Sequence, residues 1–160
     1  VFQNAGNSSN KGIELIFQKE ISRTFSFNTN ATVYQSVIDA FTVQNQYPVP
    51  SVFSAPEESI TSGNIKLNGF VHLPRKTELQ FTAVYLAPDL IPQGRIASRF
   101  SVDAGLKKQI QKGKGELFIN STDLFNTLRI KRNIRGNGFR FVSTDYFETQ
   151  VFRIGYSYKF

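Results

Sequence analysis

One stretch gathers the side chains best suited to hold a ligand: "RIKRNIRGNGFRFVSTDY", residues 129–146. Arg129, Lys131, Arg132, Arg135 and Arg140 are interleaved there with Phe139 and Phe141, and Tyr146 follows. Guanidinium groups donate charge-assisted, often paired hydrogen bonds to carboxylate or phosphate, and aromatic rings add stacking. Those seven residues, Arg129 to Phe141, are the candidate ligand contacts. The same cations could instead meet lipopolysaccharide phosphates or stay solvated. Other chemistry finds little support. His72 is the lone histidine, so any Ser-His-Asp triad would have to use it, and its place beside a short turn reads as structural. Glu57 and Glu58 are adjacent in a Pro- and Ser-rich stretch and read as solvated, not as an acid and base pair. "RGNGF" (135–139) lacks the Lys-Ser/Thr and the strand-to-helix setting of a phosphate loop. The Asn-Xaa-Ser/Thr matches at Asn7, Asn30 and Asn120 are of the kind that chance produces. With Cys absent, disulfides and thiolate metal sites are excluded. The expectation is a protein with no catalytic set, no metal and no cofactor, and therefore not an enzyme.

The elements that must carry such a loop follow from composition and period. The chain has 160 residues, 40% of them apolar, with 16 Phe and 6 Tyr but no Trp. Its net charge of +7 would suit nucleic acid, an anionic membrane surface or an acidic ligand. No run of about 18 apolar residues exists, which excludes a transmembrane helix but not a transmembrane strand of about 9–11 alternating residues. The chain begins on Val1, contains no Met and shows no signal peptide, so it is expected to be a mature or truncated piece of a longer polypeptide.

Alternation with period two recurs throughout, and no long 3.6-residue stripe interrupts it. Seven strands are expected: Gly12–Glu20, Thr24–Val37, Asn64–Leu73, Thr77–Leu86, Ser98–Ile110, Gly115–Asp123, and about Tyr146–Phe160. Each sets apolar residues such as Ile13, Leu15 and Phe17 against small or polar ones. The exception is the sixth, where Leu117, Phe118 and Ile119 are consecutive. "EISRT" (20–24), "PRKT" (74–77) and "QKGKG" (111–115) read as tight turns, whereas residues 38–63, 87–97 and 124–145 read as long loops. Short turns at one end and long loops at the other match outer-membrane barrels.

A soluble antiparallel protein also alternates. Here the polar positions are mostly Ser, Thr, Asn, Gln and Gly, and aromatics cluster near strand ends, as Phe25, Phe27, Tyr85, Tyr156 and Tyr158 do. Such rings suit interfacial girdles. Nine residues from Phe152 to Phe160, at about 3.3 Å each and tilted about 45°, rise roughly 20 Å, slightly short of an apolar band of about 25 Å. The residues upstream, back to Tyr146, would supply the remainder. On this reading the apolar faces meet lipid, the C-terminus is periplasmic, and the cationic loop is outside the cell, where nucleic acid is no partner. Basic residues at the turn end (Lys19, Arg23, Arg75, Lys76, Lys107, Lys108, Lys112, Lys114) would face headgroups or periplasm. Seven strands cannot close a membrane barrel, since an open edge cannot face lipid and single-chain bacterial barrels are even-numbered.

The pieces "NKGIELIFQKEISRTFSFNTNATVY" (10–34), "RKTELQFTAVYLAP" (75–88), "FSVDAGLKKQI" (100–110), "ELFINSTDLFNT" (116–127) and "FRIGYSYKF" (152–160) together resemble the C-terminal end of a TonB-dependent outer-membrane receptor of the Bacteroidetes type. The resemblance implies an all-β fold: an antiparallel transmembrane β-barrel meander, about seven strands here, forming the C-terminal portion (1–160) of a barrel of about 22 strands. It implies import of an unidentified nutrient, with plug and N-terminal strands lying outside this sequence. It further implies as partners outer-membrane lipid and lipopolysaccharide, the rest of the barrel and its plug, TonB through the N-terminal region, the barrel-assembly machinery and a surface lipoprotein. In proteins of that kind the terminal aromatic strand (here Phe152, Ile154, Tyr156, Tyr158, Phe160) is also the assembly signal.

Two other architectures remain open at this point. A soluble all-β module, such as a carbohydrate-binding sandwich, would pack Phe81, Phe100, Val102 and Ile154 together in a core. A small stand-alone outer-membrane barrel would need an eighth strand within residues 38–63.

Overall fold

A computed structural model describes residues 6–46, 48–136 and 138–160. Seven strands form one antiparallel wall: β1 (Ser8–Glu20), β2 (Phe25–Ile38), β5 (Glu58–Leu73), β6 (Thr77–Leu86), β9 (Arg99–Ile110), β10 (Gly115–Thr122) and β13 (Val151–Tyr158), hydrogen-bonded in that order. The six others lie in the long connections. The short hairpin β3 (Phe41–Asn45) and β4 (Ser51–Ala55) stands alone. β7 (Asp89–Ile91), β8 (Gly94–Ile96), β11 (Arg129–Gly136) and β12 (Phe139–Tyr146) make a second sheet in the order β12-β11-β8-β7. The wall does not close on itself: β1 and β13 each keep one edge without a strand partner among the described residues.

Residues paired directly across an antiparallel ladder share a face, so the register decides what each side of the wall presents. One row runs Phe25, Val71, Leu79, Leu106, Ile119, Ile154 from β2 to β13. Ile13–Val33 and Leu15–Ala31 extend that side onto β1, and Tyr85–Phe100 and Leu117–Tyr156 complete it. No described residue covers this apolar side. Among the described residues no hydrophobic side chain is buried, and Ile154 keeps 78% of its surface. Phe81, Phe100, Val102 and Ile154 therefore share an open face instead of a core, which removes the sandwich: its second layer is missing.

The opposite side is polar and internally bonded. Asn68 donates to Asn28 (2.7 Å) and accepts from Thr82 (2.9 Å), a ladder across β2, β5 and β6. Asn30 donates to Glu14. The awkward triplet in β10 resolves here: Leu117 and Ile119 join the apolar side, while Phe118 turns to the polar one and lies over Gly155 of β13. A Cβ at Gly155 would fall 2.1 Å from that ring, so only glycine leaves it room.

Several expected boundaries shift. β1 starts at Ser8, and β5 starts at Glu58 instead of Asn64. Residues 58–63, "ESITSG", pair with Val33–Ile38 but carry only Ile60 as a large apolar side chain, too few to show a period of two. The seventh wall strand is shorter than expected. It begins at Val151, and Tyr146 belongs to β12 opposite Arg129. Residues 147–150 leave the ladder, so upstream residues do not lengthen it. Residues 38–63 supply no eighth wall strand either, since β3 and β4 pair only with each other.

Candidate functional site

The cationic stretch folds as the β11–β12 hairpin, and its register divides the expected cluster. Arg129, Lys131 and Arg135 share a face with Arg140 and Tyr146. Arg132 falls on the other face beside Asp145, Phe141 and Phe139. There Asp145 forms an ion pair with Arg132 and also accepts from Ser143 (2.9 Å). Seven residues close in sequence thus make two surfaces, one basic and one neutralised and aromatic. Alternation is the reason: odd and even positions of a strand cannot converge. On the basic face Arg129 sits 5.8 Å from the centre of the Tyr146 ring, a cation–π contact. Arg135 stands directly across from Arg140, a like-charge pair that is destabilising unless an anion intervenes.

β8 joins this hairpin to the rest. It pairs Ile96, Arg95 and Gly94 with Arg132, Asn133 and Ile134, and Arg135 N–H donates to Gln93 O at 2.7 Å. Gly94, with φ +146°, is obligatory: a Cβ there would lie 1.9 Å from the Asn133 carbonyl oxygen. The sheet is tied to the wall by the Tyr34 hydroxyl, which donates to Asp89 of β7 at 2.5 Å. Arg95 reaches Glu58 at 3.7 Å. Glu58, expected to be solvated, is therefore paired.

Asp123, at the loop end of β10, was missed in the sequence. It is 2% exposed and accepts from Thr149 Oγ1 (2.7 Å), Thr127 N–H (2.9 Å), Leu128 N–H (3.1 Å) and Thr127 Oγ1 (3.3 Å). Burial alone would raise its pKa, but the bonds from Thr149, Thr127 and Leu128 outweigh it and hold the carboxyl below the ordinary 3.8. It fastens the start of the long connection to its return before β13. Only the local "DLFNTL" hinted at it, as a side chain bonding backbone a few residues on.

Along β13 Phe152, Ile154, Tyr156 and Tyr158 lie on the apolar side, and Phe160 follows the strand at the short-turn end, fully exposed. Tyr158 meets Phe160 edge-on at 5.4 Å, and the Tyr156 hydroxyl donates to Gln111 at 2.7 Å. Arg153 points to the polar side and donates to Thr122. His72 lies 3.9 Å from Glu78 on that same side. Lys107, expected at headgroups or periplasm, reaches Glu78 (3.0 Å) and Glu116 (4.0 Å) across the polar ladder. Lys19 and Lys108 do share the apolar side, each within two residues of a short-turn end of its strand. No three His, Asp or Glu side chains among the described residues group as metal ligands.

A family model described as "outer membrane protein beta-barrel family" matches residues 1–158. The chain belongs to the outer membrane protein beta-barrel family. No curated protein and no solved structure matches it. Membership locates this barrel protein in the outer membrane and gives its uncovered face a solvent. In a barrel wall, lipid meets the apolar side and the polar side is interior. The Lys19 and Lys108 stems can then run along the apolar surface to reach headgroups.

Proposed function

We propose that this chain is the C-terminal barrel wall, with its outer loops, of a TonB-dependent importer for a nutrient. It acts as a binding and structural element of transport and catalyses nothing. The observation that carries this reading is the wall itself: seven strands with one uncovered apolar side, tight turns at one end and folded hairpins at the other. In this orientation the turns and the C-terminus are periplasmic, and the β3–β4 and β11–β12 hairpins stand outside the cell. The unpaired edges of β1 and β13 are closed by further strands of the same polypeptide, in a barrel of about 22, around a plug that TonB engages from the periplasm. Lipid and lipopolysaccharide surround it, a surface lipoprotein caps it, and the aromatic β13 is read by the barrel-assembly machinery.

Planar-bilayer conductance together with binding of the periplasmic TonB domain tests this reading. A plugged importer binds TonB and stays closed at rest. A barrel that conducts steadily and ignores TonB would refute it.

A further inference from the structure

The β3–β4 hairpin is amphipathic. Phe41, Val43, Phe53 and Ala55 share one face, while Thr42 and Ser54 face outward and bond to each other at 2.9 Å. Its apolar face is only half-buried, because it roofs a cavity of about 280 Å³. Phe41 and Phe53, their rings 6.0 Å apart, line that cavity together with Ile38 and Ile91. Two charged residues also line it, Glu58 and Arg135. They are not equivalent. Glu58 already has Arg95 at 3.7 Å, whereas exposed Arg135 has no carboxylate partner among the described residues and faces Arg140 across the hairpin. The uncompensated charge at this cavity is positive.

We propose that the cavity binds a small aromatic carboxylate, its ring packed against Phe41 and Phe53 and its anion on Arg135. The volume lies just under the roughly 300 Å³ at which ligand pockets begin, which suits one ring system. The apolar lining holds the ring, and the anion relieves the Arg135–Arg140 opposition through charge-assisted hydrogen bonds. The biological meaning, recognition of cargo outside the cell, rests on the importer reading. The binding itself does not.

The probes are 2-naphthoate and its uncharged isostere 2-naphthamide, titrated by fluorescence against the full-length protein in lipid nanodiscs. These 160 residues contribute no Trp fluorescence. The naphthoate should bind about ten-fold or more tightly than the amide, the difference expected for one charged hydrogen bond. Arg135→Gln should lower naphthoate affinity to the amide's level and leave the amide unchanged. Phe53→Leu should weaken both probes. Arg75→Gln, in the tight β5–β6 turn and outside the cavity lining, should change neither. No binding of either probe, equal binding of both, or an equal loss in the Arg135 and Arg75 variants overturns the proposal. Because TonB binding and conductance are read separately, such a result leaves the importer reading standing.

Discussion

Ile154 offers the sharpest test of which side of the wall is dry. It lies on β13 opposite Ile119, with 78% of its surface uncovered. It lies six positions before Phe160. At about 3.3 Å each and a tilt of about 45°, they put it roughly 14 Å above the C-terminal end, near the middle of an apolar band about 25 Å tall. A lipid-facing arginine at that depth costs about 2–4 kcal/mol. An exposed isoleucine in water could be replaced within about 0.5 kcal/mol either way. The two environments therefore differ by several-fold in the expected effect of Ile154→Arg. Ser157→Arg is the control, because Ser157 sits on the polar side opposite Glu116, where a cation is welcome. Guanidinium titrations of the protein in lipid vesicles, followed by circular dichroism, give both free energies. A loss of about 2–4 kcal/mol for Ile154→Arg against almost none for Ser157→Arg is expected. Equal effects, or a stabilised Ile154→Arg, would refute the assignment of the apolar side to lipid.

Three further outcomes follow from local geometry. Thr149→Val removes the 2.7 Å bond to buried Asp123 and should cost about 1.5–3 kcal/mol in the same titration. Asp123 has a lowered folded-state pKa, so its contribution is complete above the ordinary 3.8 and fades as pH falls through the lower folded value. Thr149→Val should therefore move the onset of acid unfolding to higher pH, which circular dichroism against pH will show. The β5–β6 turn places non-glycine residues at positive φ, Arg75 at +60° and Lys76 at +54°. Replacing Lys76 with Gly relieves a left-handed residue worth about 1–2 kcal/mol, so stability should rise, and an unchanged midpoint would count against that strain. Deleting Tyr158–Phe160 from the full-length protein should lower surface levels in cells more than ligand affinity, as surface immunolabelling beside binding can measure.

The two faces were legible because alternation is a local property. Ile13, Leu15 and Phe17 fall on one side whatever they pair with, and the neighbouring strands simply continue the row. The tight turns were legible for the same reason, through Pro74, Gly113 and their charged neighbours. β3 and β4 were not read, although "FTVQN" and "SVFSA" both alternate, because five residues are too few to stand out beside Pro48 and Pro50. The cationic loop was read as one cluster because nearness in sequence hid the pleat that separates Arg132 from Lys131.

By itself the sequence determined the class: strands, one dry and one wet side, turns at one end, and an aromatic terminus. Period and composition are enough for that, since each residue's side follows from its position alone. Tertiary structure decided everything that joins distant positions. The pairing of β8 with β11, the Thr149 bond to Asp123, and Arg135 beside Phe41 and Phe53 each bring together residues far apart in the chain. Such contacts depend on register and loop closure, which no single stretch encodes.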